Sequence, residues 1–355
     1  MPGPTRPWRT AEFGTCSLGN VPIVIAHRGA SGYLPEHTLP AKALAAAQGA
    51  DYLEQDLAMT RDDQLVVIHD PYLDRISDVA ERYPQRRRPD GHFYVLDFTM
   101  DEIRELRVTE PFTVDEEGEM WPEWPGRFPM WGSRFAFHTF EEELQFIRGL
   151  NYSTGRPLGI YTELKEPALH REHGKDIASA AYSTLKEFGY DSRDGSAYLQ
   201  CFDPDELRRI KSDIGPSLGV DLPLIQLIPD LRHRHNRILW RDGLGDTRDS
   251  GATVEAEGME RVAEYADGIG PHYVALVEET SRPGDVRPTD MVDAAHDAGL
   301  VVHPYTVRAD QLPEWAGTVD DVFQTILVDA GADGLFTDFP DLAAQFVARA
   351  FPKPD

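Results

Sequence analysis

The feature that most constrains the fold of this 355-residue chain is an alternation of short apolar runs with helical patterns. The apolar character of the runs is continuous, which is typical of parallel strands buried on both faces of a sheet. Eight such runs are present: VPIVIAHRG (21–29), DYLEQDL (51–57), LGIYTEL (158–164), AYLQCF (197–202), LPLIQLI (222–228), ADGIGPH (266–272), LVVHPYTV (300–307) and DGLFTDF (333–339). Eight strands close a (β/α)8 barrel, so we predict an α/β fold of the TIM-barrel type.

The stretches between the runs carry the start and stop signals of helices. Asp203 offers an N-cap with Pro204 at the first helical position, and Gly189 and Gly299 stand where helices would end. We expect helices within residues 39–48, 174–189, 203–214, 257–266, 288–299 and 319–331. An open doubly wound sheet is the alternative, but no glycine-rich phosphate loop follows the first run. The pattern therefore favours the closed barrel.

Residues 71–137 interrupt the alternation with a stretch rich in arginine, proline and aromatic residues. Because a plain loop of this length is uncommon, we predict an insertion subdomain after strand two, on the rim of the barrel. It would lie within one barrel domain over residues 21–345, preceded by an N-terminal extension over residues 1–20. Its aromatic residues could cover the substrate or form a small core of their own. Its arginine-rich part, residues 82–91, is more typical of a solvated turn than of a nucleic-acid patch.

Composition excludes several classes of partner. The formal charge of −26 repels a polyanion, so we expect no nucleic-acid binding. No run of eighteen apolar residues exists, so we expect no transmembrane helix and no stable membrane insertion. Cys16 and Cys201 do not make a disulfide framework, and Cys201 is expected to be a buried thiol. The oligomeric state is not predictable from the sequence.

Polar residues stand at the ends of the apolar runs, and in a barrel the carboxyl ends of the strands form the active site. Glu54 and Asp56 are spaced i, i+2 and therefore share one side of their strand, as do Glu163 and Lys165. The remaining candidates at or just beyond a run are His27, Arg28, His69, Asp70, Gln200, Gln226, His272 and Tyr305. We predict that these side chains meet at one mouth of the barrel.

The residue types in this set suit phosphate-ester chemistry. Glu54, Asp56 and Glu163 would repel one another without a cation, and oxygen ligands favour Ca²⁺ or Mg²⁺ over zinc. Imidazole titrates near neutral pH, so His27 and His69 are candidates for general acid and base. Two further cations, Arg28 and Lys165, would stabilise phosphate charge beside the ion. The predicted substrate is a phosphodiester.

Each candidate also has a purely structural interpretation. A histidine at a strand end is often a satisfied structural residue, and Arg28 could simply pair with Glu54. His272 and His303 carry little weight by themselves. The functional interpretation depends on the conjunction of all these residues at one barrel mouth.

Several motifs resemble those of the glycerophosphodiester phosphodiesterases, specifically the bacterial periplasmic type. The motifs are IAHRGASGYLPEHTLPAKA, DYLEQDLAMT, LVVIHDPYLDR, GIYTELKEP, YLQCFDPDELRRIK, AEYADGIGP, VVHPYTVRADQLPE and GLFTDFPD. They cover residues 21–345 and occur in order. His37 stands where many relatives carry Asn, and Tyr305 stands where many carry Trp.

The resemblance implies a (β/α)8 barrel with an insertion after strand two. It implies hydrolysis of glycerophosphodiesters, such as glycerophosphocholine, glycerophosphoethanolamine and glycerophosphoglycerol, to sn-glycerol 3-phosphate and an alcohol. The implied roles are a Ca²⁺ site (alternatively Mg²⁺) at Glu54, Asp56 and Glu163, an acid/base pair His27 and His69, and phosphate or substrate contacts from Arg28, Lys165 and Glu36. Gln200 and Tyr305 are added to the substrate contacts because they follow strands.

The resemblance also implies a periplasmic or secreted protein, whereas the first fifteen residues lack the apolar stretch of a signal peptide. A cytoplasmic location or a mature exported form both stay open. Two other functions are considered. One is phospholipase D-like activity on lysolipids or sphingolipids, as in the distantly related spider-venom enzymes. The other is a non-catalytic barrel that binds phosphate esters. A phosphodiester-specific nuclease is disfavoured by the charge.

Overall fold

The structure is a computed structural model that describes residues 21–193, 196–230 and 256–352. The predicted N-terminal extension and Cys16 lie outside these residues. The strands of the described residues are β1 (Ile23–Ala26), β2 (Tyr52–Met59), β3 (Leu65–Val67), β4 (Phe112–Val114), β5 (Met120–Pro122), β6 (Gly159–Leu164), β7 (Ala197–Cys201), β8 (Leu224–Ile228), β9 (Gly268–Pro271), β10 (Val301–Val302) and β11 (Gly334–Thr337). Eight of them are parallel and form a nearly closed barrel with helices outside it, so the predicted fold class is confirmed.

The parallel strands follow the order β10-β9-β8-β7-β6-β2-β1-β11. Between the two ends of this path, the Asp333 N–H donates to the Val302 carbonyl at 3.0 Å and Val307 pairs with Thr337. All eight predicted strands are present, although β10 keeps only two residues of the predicted run 300–307. The antiparallel strand β3 and the hairpin β4–β5 were not predicted.

The helices fill the intervals between strands. Those of the barrel are Leu39–Gln48, Phe140–Thr154, Pro167–Glu172, Ile177–Glu187, Pro204–Arg209, Gly215–Leu218, Ala256–Ala263, Met291–Asp297, Val319–Phe323 and Pro340–Ala350. Pro204–Arg209 and Val319–Phe323 continue as π-helical turns. The predicted N-cap is confirmed, since the Asp203 carboxylate accepts the N–H groups of Asp205 and Glu206. No helix in the described part of the chain is both long and apolar enough to span a bilayer.

Strand register decides which side chains face the barrel interior. Asp56 of β2 pairs with Glu163 of β6, which pairs in turn with Gln200 of β7. Residues paired in register point to the same side, and the side alternates along each strand. Gln226 is one residue out of phase with this set, and its amide oxygen accepts the hydroxyl of Tyr265 outside the barrel. The expectation that Gln226 reaches the barrel mouth is therefore wrong.

Residues 71–137, which we call the intervening segment, lie between β3 and the helix Phe140–Thr154. The segment contains two short helices, Val79–Arg82 and Met100–Arg104. Its residues Phe93 and Phe98 are buried in an apolar cluster that includes Ile68 of the barrel chain. The segment is thus packed against the barrel through a core of its own, while the predicted domain boundaries stay a prediction.

Candidate active site

The carboxyl ends of the parallel strands surround a pocket of about 220 Å³. Eight of the ten residues that were assigned a site role line it: His27, Arg28, Glu54, His69, Glu163, Lys165, Gln200 and Tyr305. The other two, Asp56 and Glu36, contact lining residues from behind. The strand-end candidate His272 lines the pocket as well. A larger cavity of about 460 Å³ lies at the opposite end of the strands, near Tyr182 and Leu224. We place the candidate site at the smaller pocket, because barrel enzymes act at the carboxyl ends of their strands.

Three buried carboxylates form the floor of the mouth. Glu54, Asp56 and Glu163 each offer one oxygen, and these oxygens lie within 4.8 Å of one another. Oδ1 of Asp56 accepts no hydrogen bond from the described residues, although Nζ of Lys165 lies 3.9 Å away. The cluster is short of positive charge and of hydrogen-bond donors.

The pKa values of these acids reflect the shortage of positive charge and of hydrogen-bond donors. Burial, together with the Asp56 carboxylate, raises the pKa of Glu54 well above its usual range. Burial and Asp56 also raise the pKa of Glu163 to about 8, against the pull of Lys165. Burial alone would raise the pKa of Asp56 as well, but Lys165 and the bond from His37 hold it low. A hard divalent ion such as Ca²⁺ or Mg²⁺ fits this oxygen-donor set, because it would let all three acids ionise.

Two cations stand beside the acids. The backbone N–H of Arg28 donates to Glu54 at 2.6 Å, and its guanidinium Nη1 donates to Glu36 at 2.7 Å. The ammonium of Lys165 donates to Glu163 at 2.7 Å. Burial would lower the pKa of Lys165, but Glu163 and Asp56 raise it, so the group stays charged. Both cations therefore stand within reach of an anion in the pocket.

The two histidines predicted to transfer protons, His27 and His69, are each held by a carboxylate. Nδ1 of His27 lies 2.6 Å from Oδ1 of Asp338, and Nδ1 of His69 lies 2.6 Å from Oδ1 of Asp70. Burial would raise the pKa of both aspartates. The guanidinium of Arg308 and the contact with His27 instead hold the pKa of Asp338 well below its usual range, and the hydrogen bond from His69, together with Arg75, does the same for Asp70. An ionised carboxylate only accepts hydrogen bonds, so Nδ1 donates in both pairs and Nε2 is left as the ring's acceptor.

Both imidazoles are neutral in this arrangement. Burial, reinforced by the charge of Arg28, lowers the pKa of His27 to about 4 and that of His69 to about 3. Two neutral rings with an available Nε2, beside an acidic cation site and two fixed cations, can exchange protons with a bound phosphate ester.

Comparison with known proteins agrees with this geometry. The sequence model of the Glycerophosphoryl diester phosphodiesterase family matches residues 27–342. The chain is 47% identical over 326 residues to a glycerophosphodiester phosphodiesterase of Haemophilus influenzae, covering 92% of this chain and 89% of the relative. It is 44% identical over 328 residues to one of Treponema pallidum, covering 92% of each. The chain belongs to the glycerophosphoryl diester phosphodiesterase family. The family predicted from the motifs is confirmed, and the chain is an enzyme of the phosphodiesterase class.

A solved structure extends the likeness of fold. A phosphodiesterase of Oleispira antarctica, in complex with the product sn-glycerol-3-phosphate, has a TM-score of 0.58 to this chain at 19% sequence identity. The match covers 92% of this chain and 97% of that one.

Four other residues named in the sequence analysis of this phosphodiesterase lie at different positions around the pocket and in the barrel interior. Glu36 is buried between Arg28 and Arg75; the two guanidinium groups outweigh burial and lower its pKa to about 2. Oε1 of Gln200 accepts no hydrogen bond from the described residues, and its Nε2 lies 3.4 Å from Glu54. Tyr305 lines the pocket while its hydroxyl donates to a backbone carbonyl at 3.1 Å. His303 lies in the barrel interior, 2.9 Å from the Tyr161 hydroxyl.

Several residues without a predicted role contact the site, and two of them hold predicted site residues directly. Asp338 holds His27, and His37 holds Oδ2 of Asp56 at 2.7 Å. Asp338 directly follows β11, so the rule that selected the other strand ends would also have selected it. His37 lies in a loop outside the strand pattern, and only its place in the first motif marks it.

Proposed function

We propose that this enzyme hydrolyses glycerophosphodiesters, such as glycerophosphocholine, glycerophosphoethanolamine and glycerophosphoglycerol, to sn-glycerol 3-phosphate and a free alcohol. The observation that carries the proposal is the meeting of Glu54, Asp56 and Glu163 with two cations and two carboxylate-held imidazoles at one mouth of the barrel. The names of the similar relatives and the product bound by the Oleispira antarctica protein support the same substrate class.

A divalent cation belongs to the proposal. Glu54, Asp56 and Glu163 would hold it; Ca²⁺ is favoured by the resemblance, and Mg²⁺ is the alternative. When bound, such an ion would withdraw charge from the phosphoryl oxygens. The unsatisfied Oδ1 of Asp56 and the raised pKa values of the two glutamates support a cation at this place.

The cationic side chains would bind the phosphate. Arg28 and Lys165 now pair with Glu36 and Glu163, and a phosphodiester anion would share their donors. The free amide oxygen of Gln200 is suited to a substrate hydroxyl, and the ring of Tyr305 would pack against the substrate.

The histidines would carry the protons. One of His27 and His69 takes the proton of the attacking oxygen, either from water or from the neighbouring glycerol hydroxyl. In the second case a cyclic phosphate forms and water then opens it. As the bond from phosphorus to the alcohol oxygen breaks, the other imidazole gives its proton to that oxygen. A bound anionic phosphate favours the protonated form of this second ring.

The decisive test is a coupled assay for sn-glycerol 3-phosphate released from glycerophosphocholine in the absence of lipid vesicles. We expect turnover that EDTA abolishes and that added Ca²⁺ or Mg²⁺ restores. Glu54→Gln should lose turnover on the order of 10³-fold or more, since a metal ion supplies several kcal/mol of charge stabilisation.

Glu143→Gln, assayed at a temperature at which it is folded, is the matched control and should keep its turnover, because Glu143 is a fully buried acid on the other side of β2. Release of phosphocholine in place of sn-glycerol 3-phosphate would contradict the proposed bond cleavage. Full activity in EDTA would contradict the cation. Location in the periplasm or outside the cell stays a prediction.

A further inference from the structure

The intervening segment supplies one arginine to the carboxylate partner of His27 and one to that of His69. Nη2 of Arg127 donates at 2.7 Å to Oδ2 of Asp338, whose Oδ1 holds His27. Nε of Arg75 donates at 2.7 Å to Oδ2 of Asp70, whose Oδ1 holds His69 at Nδ1. The same order of imidazole, carboxylate and guanidinium thus occurs twice, and both guanidinium groups come from residues 71–137.

We propose that Arg127 and Arg75 are positioning residues through which the intervening segment holds both histidines ready for proton transfer. The inference rests on the proposed function, because it takes His27 and His69 as the proton-transfer pair. The described residues that line the pocket do not include either arginine. Both therefore act through the carboxylate that they fix and not through contact with the substrate.

Arg127 is anchored on several sides. Its side chain is 5% exposed, and its Nε and Nη2 bind the two oxygens of Asp310 at 2.7 and 3.0 Å. Nη1 donates to the carbonyl of Ser31 at 3.3 Å, and the guanidinium carbon lies 4.5 Å from the centre of the Trp124 ring. A bidentate carboxylate and a stacked ring fix the plane of a guanidinium. Its hydrogen bond to Asp338 is correspondingly fixed in direction.

Asp338 needs this second fixed donor. Its Oδ2 accepts from both Arg127 and Arg308, which leaves Oδ1 for His27. With Arg308 alone, the carboxylate can turn about its side-chain bond and move Oδ1 away from the ring. Misplacement of a catalytic group by about 1 Å can cost about 100-fold in rate.

Arg75 ties the second histidine to the phosphate-binding side of the pocket. Besides Asp70, it donates through Nη2 to Oε1 of Glu36 at 2.8 Å, and the other oxygen of Glu36 accepts from Arg28. Its third donor, Nη1, binds Glu123 of the intervening segment at 2.9 Å. Arg75 thus sets the relative position of His69 and Arg28 through two carboxylates.

The chain offers a matched control. Arg88 lies in the same segment and binds Asp97 through Nε and Nη2 at 2.7 and 2.8 Å, but this carboxylate holds neither His27 nor His69. We expect Arg127→Gln to lower kcat about 10- to 100-fold with little change in KM. Arg75→Gln should lower kcat by a similar factor and also raise KM, because Arg75 positions Arg28 through Glu36. Arg88→Gln should leave kcat unchanged.

A double-mutant cycle separates positioning from general stability. In a His27→Ala background, Arg127→Gln should cost no further activity, because the residue through which it acts is gone. An equal loss of kcat with and without His27, or an equal loss in Arg88→Gln, would overturn the proposal. If Arg127→Gln does not fold, Asp310→Asn removes the anchor of the guanidinium and should show the same kcat loss and the same dependence on His27.

A readout without turnover completes the test. In protein labelled with ¹⁵N-histidine, the Nδ1–H resonance of His27 can be assigned by its disappearance in His27→Ala. It should shift or broaden in Arg127→Gln and stay in place in Arg88→Gln. An unchanged resonance in Arg127→Gln would overturn the inference. A wild-type enzyme without phosphodiesterase turnover would instead count against the proposed function, and the resonance would still test the positioning.

Discussion

Two buried acid clusters lie on opposite sides of strand β2, and they are built from similar residue types. The inner cluster, at the barrel mouth, contains Glu54 and Asp56 together with Glu163. The outer cluster, behind the strand, centres on Glu143, whose Oε1 binds Lys42 and whose Oε2 lies 2.6 Å from Nε2 of His138. Both clusters are almost fully removed from solvent.

The difference between the clusters is charge balance. Lys42 and His138 outweigh burial and lower the pKa of Glu143 to about 2, whereas burial and the neighbouring Asp56 raise that of Glu163 to about 8. Glu143 has hydrogen-bond partners on both oxygens, while Oδ1 of Asp56 has none among the described residues. A balanced cluster holds structure together, and an unbalanced one that borders a pocket is a candidate for binding a cation.

The largest expected difference between the inner and outer clusters is the effect of their histidines on kcat. We expect His27→Ala and His69→Ala each to lower kcat about 10²–10⁴-fold, since each removes a proton-transfer group. His138→Ala removes a buried ring from the outer cluster and should leave kcat unchanged in folded protein. Steady-state assays well below the unfolding temperature check this. A large loss in His138→Ala alone would reverse the assignment of the two clusters.

Substitution of an acid in the outer cluster and substitution of one in the inner cluster should affect stability differently when the cation is chelated. Glu143→Gln leaves the Lys42 ammonium buried without its carboxylate, so the free energy of unfolding should fall by about 3–5 kcal/mol. Glu54→Gln removes one of three mutually repelling acids and should leave that free energy unchanged or raise it. Urea unfolding in EDTA measures both variants. A loss of similar size in Glu54→Gln would show that the mouth is balanced without a cation.

The pH dependence of stability sharpens the comparison further. The raised pKa of Glu163 means that, between its ordinary value of 4.5 and about 8, the folded protein holds a proton that the unfolded chain has released. Its contribution to stability in EDTA should therefore fall as pH rises from 5 to 8, by an amount on the order of a few kcal/mol. The lowered pKa of Glu143 places its own loss of stability below pH 4.5, outside this range.

The measurement is the difference in unfolding free energy between wild type and Glu163→Gln at several pH values. Saturating Ca²⁺ should remove the slope, because the ion replaces the proton. Glu143→Gln should keep the wild-type slope. If wild type and Glu163→Gln have the same pH profile in EDTA, the raised pKa of Glu163 is wrong.

Much of the site could be predicted because it follows strand ends. The i, i+2 spacing of Glu54 and Asp56 fixes their common side by local geometry alone. The same reasoning failed for Gln226, since the sequence run does not define where the alternation of its strand begins relative to the neighbouring strand. Only the observed register pairs Gln226 with Cys201 and turns it outward.

The sequence by itself determined the number of strands, the polar residues at their ends and the motifs that resemble one family, because periodicity and motif order are local properties of the chain. Only the tertiary structure decided which charges balance. Asp338 reaches His27 across 311 positions, and Arg127 reaches Asp338 across 211. Such pairs form when the barrel closes and the intervening segment packs on its rim. Whether a buried acid is neutralised depends on these distant partners, because electrostatic interactions depend on distance in space and not on separation along the chain.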